Sequence, residues 1–284
     1  MMPRVKYFKS LIAIVLVCIL AGCSFGLGLV SPEQRKKNAE SLARQHGWCF
    51  MKLPVAPFTL VAFLPESVNA VEVLTIYIEG DGLAWISSSQ PSTNPTPARP
   101  VGLELALQHP RGVAVYLARP CQYVEGVDAD SCSAIYWTDG RFAPELIDAT
   151  DRAVDQLKQR FNASTIELVG YSGGGAIAAL VAARRKDVGR LVTVAGTLDH
   201  EVWTRIHRVR PLERSLNPAD AWQDLVAVPQ LHFVGAADKK VPPAVAESYR
   251  KHFPENYRPE IRVINGFDHS CCWVENWAKL YPTN

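Results

Sequence analysis

A serine between glycines is the residue of this sequence best suited to nucleophilic chemistry. Gly170-Tyr171-Ser172-Gly173-Gly174 matches G-x-S-x-G and lies between a β-branched, apolar run (165–169) and an alanine-rich run (176–183). A strand, a sharp turn and a helix are the setting in which such a serine is exposed for attack on an acyl carbon. The alternative is a glycine-rich turn with a chance serine. We favour the nucleophile, because glycines at 170 and 174 leave room for a strained serine backbone.

A serine hydroxyl needs a base, which in turn needs an orienting acid. Of seven histidines, His269 is the expected base, because it lies in Gly266-Phe267-Asp268-His269-Ser270, after the last predicted strand and before a helix. His200 is the second choice. The remaining histidines fall on predicted helices, inside a strand or in a basic run: His46, His109, His207, His232 and His252.

The expected acid is Asp238, which follows the penultimate predicted strand in Gly235-Ala236-Ala237-Asp238. Asp199, after the preceding strand, is the rival, and Asp238 would then only cap the helix after Pro242. Asp268 is not expected to serve, because it adjoins the base and points the other way along the chain. The sequence therefore predicts Ser172, Asp238 and His269 as the reacting set.

The negative oxygen formed during acyl transfer needs two N–H donors. The sequence offers Gly173, directly after the nucleophile, and Asp81 in Glu79-Gly80-Asp81-Gly82, after an early strand. A free Asp81 carboxylate would oppose the developing charge, so we expect it to pair with Arg119, just past the next strand. The alternative is a solvated Arg119 and an Asp81 that merely caps a turn.

Strand and helix patterns alternate along most of the chain, and the strands are continuous apolar runs, as in parallel sheets covered on both faces. This predicts an α/β fold with a mostly parallel, doubly wound sheet flanked by helices in a single domain. Active sites of such sheets lie beyond the carboxyl ends of the strands. The predicted strands are 58–64, 71–78, 112–117, 165–169, 190–195, 229–234 and 260–264, and the predicted helices are 31–46, 103–109, 144–161, 176–183, 244–252 and 271–280.

The order Ser172, Asp238, His269, with a strand–turn–helix around the serine, resembles the α/β-hydrolase superfamily from Pro54 to the C-terminus. The resemblance implies hydrolysis without metal or cofactor, usually of carboxylic esters and sometimes of peptides. It also implies that the second oxyanion donor comes from the loop after the early strand. One departure is Glu79, which occupies the place of the family's usual histidine before the oxyanion glycine.

The N-terminus has the character of an export signal. Basic residues precede an apolar run (11–20), and Leu20-Ala21-Gly22-Cys23 resembles the lipobox of bacterial lipoproteins. This implies cleavage before Cys23 and a diacylglyceryl group on its sulfur. We therefore expect a signal peptide (1–22), a lipid-anchored linker and helix (23–47) and a hydrolase domain (48–284). The alternative is a transmembrane helix over 11–30, which is long enough to span a bilayer.

Export would place the body in an oxidising compartment. Of seven cysteines, five remain beyond Cys18 and Cys23. We expect Cys121 and Cys132 to bridge a loop and hold Trp137 as a pocket wall, and Cys49 with Cys271 or Cys272 is a second candidate pair. No zinc-type spacing is present, so no metal site is expected.

The formal charge is +2, and the three leader cations account for it, so no nucleic-acid partner is expected. The sequence predicts a monomeric, membrane-anchored serine esterase or lipase-like hydrolase acting on a small-molecule or lipid ester. It would face the periplasm, with the outer membrane favoured, or the cell exterior. The alternatives are a serine peptidase or acyltransferase of the same fold and a non-catalytic binding lipoprotein.

Overall fold

A computed structural model describes residues 30–67 and 70–281. The predicted signal peptide and Cys23 lie outside the described residues. The strands are β1 (Trp48–Val55), β2 (Phe58–Pro65), β3 (Val73–Ile78), β4 (Val113–Leu117), β5 (Thr165–Tyr171), β6 (Val188–Val194), β7 (Gln230–Gly235) and β8 (Glu260–Ile264). The helices are α1 (Pro32–Gln45), α2 (Val101–Leu107), α3 (Pro144–Arg160), α4 (Gly173–Ala182), α5 (His200–His207), α6 (Trp222–Leu225), α7 (Pro243–Lys251) and α8 (Trp273–Leu280).

Within the described residues, eight strands form one sheet in the order β1-β2-β4-β3-β5-β6-β7-β8. The strands β3 to β8 run parallel to one another, whereas β1 and β2 form an antiparallel hairpin at one edge and β2 pairs antiparallel with β4. Helices cover both faces, with α1, α2 and α8 in one apolar core and α3, α4 and α7 in the other. The predicted fold class is confirmed.

Two parts of the fold were not predicted. β1 pairs with β2 along its whole length, but Lys52 and Pro54 interrupt its apolar pattern, as an edge strand tolerates. The stretch 196–226, in which no predicted helix lies, contains α5 and α6. α5 begins where the Asp199 carboxylate accepts the N–H of Val202, an ordinary N-terminal cap.

The parallel strands bring four loops together at their carboxyl ends. These loops follow β3, β5, β7 and β8, and they carry Asp81, Ser172, Asp238 and His269 respectively. β5 lies between β3 and β6 in the sheet, so the serine lies near the middle of the row of carboxyl ends. None of the helices in the described ranges has the length and apolar character needed to cross a bilayer.

Candidate active site

The turn between β5 and α4 holds Ser172 in a strained backbone conformation. Its φ is +53° and its ψ is −122°, a region that residues other than glycine rarely adopt. The neighbouring glycines permit the turn: a Cβ on Gly170 would lie 2.5 Å from the Gly175 α-carbon, and one on Gly174 would lie 2.8 Å from the Glu79 carbonyl carbon. Both clashes are with backbone, which cannot move aside.

A chain of hydrogen bonds joins the three residues expected to react. His269 Nε2 lies 3.0 Å from Ser172 Oγ, and His269 Nδ1 lies 2.9 Å from Asp238 Oδ2. The second oxygen of Asp238 accepts the N–H groups of Lys240 and Val241, each at 2.8 Å. The Asp238 carboxylate is therefore fixed in position and fully buried.

The rival residues Asp199 and His200 lie elsewhere. Asp199 accepts hydrogen bonds from the N–H of Val202 at 3.1 Å and the hydroxyl of Ser248 at 2.6 Å. The ring of His200 stacks on Phe142, and its burial lowers the pKa of the imidazole. Both residues serve the packing of α5, and the histidine that meets the serine is His269.

Tyr171, between the first glycine and the serine, supports the histidine loop. Its hydroxyl donates to the carbonyl oxygen of His269 at 3.0 Å, and the two rings lie 5.5 Å apart. Trp273 adds a second support by donating to the Asp268 carbonyl at 2.9 Å. The sequence pattern leaves the residue before the serine unspecified, so it gave no signal for the role of Tyr171.

The peptide group between Gly80 and Asp81 has a defined orientation. Gln122 Nε2 donates to the carbonyl oxygen of Gly80 at 3.0 Å, and the carbonyl and N–H of a trans peptide point in opposite directions. The Asp81 N–H is thereby turned away from Gln122. The Gly173 N–H is the first of α4 and has no intrahelical acceptor. Sequence reasoning missed Gln122, which is buried in a loop far along the chain.

The Asp81 carboxylate is paired with two arginines. One oxygen accepts from Arg119, as expected, and the other accepts from Arg141 Nη1 at 2.9 Å. Burial alone would raise the pKa of Asp81, but the charges of Arg141 and Arg119 outweigh it and hold the pKa below its usual value. The pair lies against Gly173, where a Cβ would be 2.7 Å from Asp81 Cγ and 3.0 Å from Arg119 Nη1. Arg141 had not been assigned a role.

Glu79 ties the loop after β3 to the start of α2. Its Oε1 accepts the N–H groups of Gly80 and Gly102, both at 3.0 Å. Burial raises the pKa of Glu79 to about 7, although the N–H groups of Gly102 and Gly80 favour the charged form. The residue in the place of the family's histidine is therefore a buttress for the backbone next to Ser172.

The Cys121–Cys132 bridge expected from the sequence is present, with the α-carbons 5.6 Å apart. It closes the loop that carries Gln122. Trp137, expected as a pocket wall, is instead buried against the early loop, where its indole N–H donates to the Ser92 carbonyl at 3.1 Å. The bridge thus supports the peptide at Gly80 and not the cavity wall.

The second candidate pair was wrong. Cys271 and Cys272 are bonded to each other, and Cys49 is a free thiol. The reason is topological, because Cys49 lies on β1 and the adjacent cysteines follow β8, at the opposite edge of the sheet.

A cavity of about 600 Å³ opens onto Ser172 and His269. Its walls come from the segment after β3 and from the segment after β6, with Trp85 on the first and Trp203 on the second. Across the described parts of the chain, no group of three or more His, Cys, Asp or Glu side chains is arranged to hold a metal ion.

Comparison with known proteins gives matches in structure alone. No family model matches the sequence, and no curated protein matches it. The solved structure of Est1E from Butyrivibrio proteoclasticus aligns with a TM-score of 0.56 at 14% identity, over 81% of this chain and 94% of that one. An α/β serine hydrolase homologue from Coxiella burnetii aligns with a TM-score of 0.53 at 17% identity, over 81% and 92%.

An acylaminoacyl peptidase from Pyrococcus horikoshii also aligns, with a TM-score of 0.53 at 11% identity, over 78% of this chain and 37% of that one. Identities this low carry the fold and not the substrate. The comparisons agree with the fold of the sheet and its flanking helices. The chain has the α/β-hydrolase fold.

Proposed function

We propose that the protein is a serine hydrolase of carboxylic esters, in which Ser172 is the nucleophile, His269 the general base and Asp238 the orienting acid. The observation that carries the proposal is the hydrogen-bonded chain from Asp238 through His269 to Ser172 Oγ. The positive φ of Ser172, +53°, costs folding free energy. Such strain is explained if the turn serves to hold the serine within hydrogen-bond distance of an imidazole base.

The reaction follows from these positions. Ser172 Oγ attacks the acyl carbon while its proton passes to His269 Nε2, and the N–H groups of Gly173 and Asp81 stabilise the resulting oxyanion. His269 then donates that proton to the departing alkoxide, which leaves an acyl group on Ser172. A water activated by the same imidazole releases the acid and restores the serine. Asp238 holds the ring so that Nε2 faces the serine throughout.

The alternatives within this fold are a serine peptidase and an acyltransferase. A peptidase would use the same three residues on an amide, and an acyltransferase would pass the acyl group to an acceptor other than water. The third alternative is a binding protein that retains the geometry without turnover. The ester hydrolase is favoured because the resemblance to α/β-hydrolases implies carboxylic esters more often than peptides.

The substrate experiment compares p-nitrophenyl esters of increasing acyl length with short peptide p-nitroanilides. We expect turnover of esters by the wild-type protein and a fall in kcat of about 10⁴-fold or more in Ser172→Ala. Faster turnover of the anilides would favour the peptidase. Wild-type activity equal to that of Ser172→Ala on every compound would reject an enzyme.

We also propose that the chain is a lipoprotein anchored through Cys23. The support is the apolar run followed by Leu20-Ala21-Gly22-Cys23, and two acyl chains suffice for stable anchoring. Metabolic labelling with a palmitate analogue in a bacterial host tests the anchor. We expect label on the wild type and none on Cys23→Ser, and equal labelling of both would reject the site.

A further inference from the structure

A strip of unpaired basic side chains borders the mouth of the cavity. It includes the run 205–210, in which three arginines are interspersed with two apolar residues and a histidine at the end of α5 and just beyond it. We call it the basic rim and define it by exposed members on two neighbouring segments: Arg205, Ile206, Arg208, Val209, Arg210, Lys239 and Lys240.

The two segments of the basic rim are joined at the cavity. The carbonyl oxygen of Lys240 accepts from Trp203 Nε1 at 2.7 Å and lies 2.9 Å from His207 Nε2. Trp203, His207 and Lys240 all line the cavity that contains Ser172. The basic rim therefore adjoins the cavity, and its member Lys240 is part of the cavity wall.

The charges of the basic rim are not held in salt bridges, although the Asp268 carboxylate lies near enough to Lys240 to interact with it electrostatically. Across residues 30–67 and 70–281, none of its five cations takes part in an ion pair, whereas some exposed cations elsewhere, such as Lys52 and Arg184, do. Two exposed carboxylates lie in the same stretch of chain, Glu201 and Glu213. The surplus of positive charge calls for an anionic partner.

Apolar side chains project beside these charges. Ile206 is 41% exposed and Val209 is 49% exposed, and across the mouth Trp85 and Ile86 are 39% and 44% exposed. The two groups flank Ser172 because their segments follow β6 and β3, the neighbours of β5. Basic groups interleaved with exposed apolar and aromatic groups are the composition of a surface that rests in the headgroup region of a bilayer.

We infer that this face docks the protein on an anionic lipid surface, with the cavity mouth turned toward the bilayer. The arginines and lysines would contact lipid phosphates while Trp85, Ile86, Ile206 and Val209 enter the headgroup boundary. An acidic protein partner fits less well, because the exposed apolar residues stand on both sides of an open cavity. The docking itself does not depend on the proposed function. The further conclusion that the substrates are lipid esters rests on it.

Tryptophan fluorescence gives a readout of docking that does not depend on activity. All seven tryptophans lie between positions 48 and 277, so the N-terminal segment contributes no signal. The full-length chain is mixed with vesicles that carry brominated acyl chains, made of phosphatidylcholine alone or with phosphatidylglycerol. We expect stronger quenching with phosphatidylglycerol, reversal by added salt, and a reduced effect in Trp85→Phe.

The decisive variant is Arg205→Gln/Arg208→Gln/Arg210→Gln. Each basic side chain near an anionic surface is worth about a factor of five in partitioning, so the triple variant should favour the docked state roughly a hundredfold less. Its quenching with phosphatidylglycerol should fall to the phosphatidylcholine level. The N-terminal segment is the same in both chains and cannot produce the difference.

The matched control is Arg111→Gln/Lys186→Gln/Arg258→Gln, which removes the same charge from exposed positions just before β4, β6 and β8. These positions lie at the amino-terminal ends of the parallel strands, whereas Ser172 lies at the carboxyl-terminal ends, so the control should quench like the wild type. Equal quenching of both triple variants would overturn the inference. A rise in KM for a soluble anionic ester in the basic-rim variant, without any change in quenching, would instead assign the charges to substrate binding.

The same measurement in Ser172→Ala separates docking from catalysis. If Ser172→Ala docks and the wild type hydrolyses no ester, the proposed function fails and the docking surface stands. If the wild type hydrolyses soluble esters but neither protein is quenched more by phosphatidylglycerol, the docking inference fails and the proposed function stands.

Discussion

Two loops meet at Ser172, and the fold secures them in different ways. The elbow after β5 is secured by backbone contacts, since Gly170 and Gly174 pack so closely against main-chain atoms that a Cβ at either position would clash. The loop after β3 is secured by side chains, with Gln122 on its peptide and two arginines on Asp81. The elbow is thus a local structure, whereas the early loop depends on residues about 40 to 60 positions away.

This difference predicts a hierarchy of effects. Changes in Ser172, or in His269 and Asp238 that are hydrogen-bonded in line with it, should reduce activity most, because each performs a step that no neighbour supplies. Changes in the supports of the early loop should be graded, because several contacts share the task. The following substitutions test that division, in order of decreasing effect.

The largest effect is expected for Asp238→Asn. The amide keeps the shape but no longer holds the imidazole with Nε2 free to accept a proton, and the comparable change in serine proteases costs about 10⁴-fold in kcat. Asp199→Asn is the control, and we expect its kcat within about threefold of wild type because Asp199 contacts α5. Steady-state ester hydrolysis measures both, and a larger loss in Asp199→Asn would move the acid to that residue.

A smaller loss is expected for Gln122→Ala, which frees the peptide whose N–H is proposed to bind the oxyanion. Loss of a donor costs about 10²–10³-fold in kcat, and loss of its support should cost about tenfold to a hundredfold, with KM little changed. Gln230→Ala is the matched control, since Gln230 also makes two hydrogen bonds but at the far edge of the sheet. Equal kcat losses in the two variants would show that only stability was affected.

The Asp81–Arg119 pair should show coupling of about tenfold in kcat. Without Arg119 the carboxylate retains Arg141 alone, and a poorly screened charge near the oxyanion costs about 4 kcal/mol at ~4 Å and an effective dielectric near ~20. A double-mutant cycle with Asp81→Asn and Arg119→Met measures the coupling. We expect the double variant to be no slower than Arg119→Met, and strictly additive losses would refute the pairing role.

The smallest effect on activity, and a distinct one on stability, is expected at Glu79. Its pKa is about 7 in the folded protein, above the unfolded value near 4.3, so the unfolded state releases its proton first. The free energy of unfolding should therefore fall as pH rises from about 4 to about 7, by roughly 3 kcal/mol in total. Glu79→Gln should remove this decline while keeping an acceptor for Gly80 and Gly102.

Urea unfolding of both proteins at several pH values measures the effect. The difference between the two curves is the informative quantity, because burial lowers the pKa values of His109 and His232 and makes both proteins more stable as pH rises toward about 6.5. Parallel curves for wild type and Glu79→Gln would mean that Glu79 does not titrate in this range.

The same division explains what was predictable. Local patterns predict the elbow and the loops that follow the parallel strands. The rule that such loops converge then selects Asp238 and His269. Arg141, Gln122 and Tyr171 were not found, because their roles depend on tertiary contacts that no local pattern encodes. The Asp81–Arg119 pair is predictable because a carboxylate beside an oxyanion requires a cation, which is an electrostatic requirement and not a motif.

The edge strand β1 and the cysteine pairing were also not predictable from local sequence patterns. Strand periodicity is weak at an edge that faces water, so 48–55 gave no clear signal. Pairing of Cys271 with its own neighbour left Cys49 free, which depended on the two segments lying at opposite edges of the sheet.

The central claim is that Ser172 is acylated by way of His269, and active-site labelling tests it most directly. A fluorophosphonate is added to wild type, Ser172→Ala and His269→Ala, and peptide mass spectrometry locates the adduct. We predict a single adduct on Ser172 in the wild type, none in Ser172→Ala, and labelling slowed at least about a hundredfold in His269→Ala, because the base is lost. Labelling of Ser172→Ala at the wild-type rate, or of His269→Ala as fast as wild type, would contradict the account.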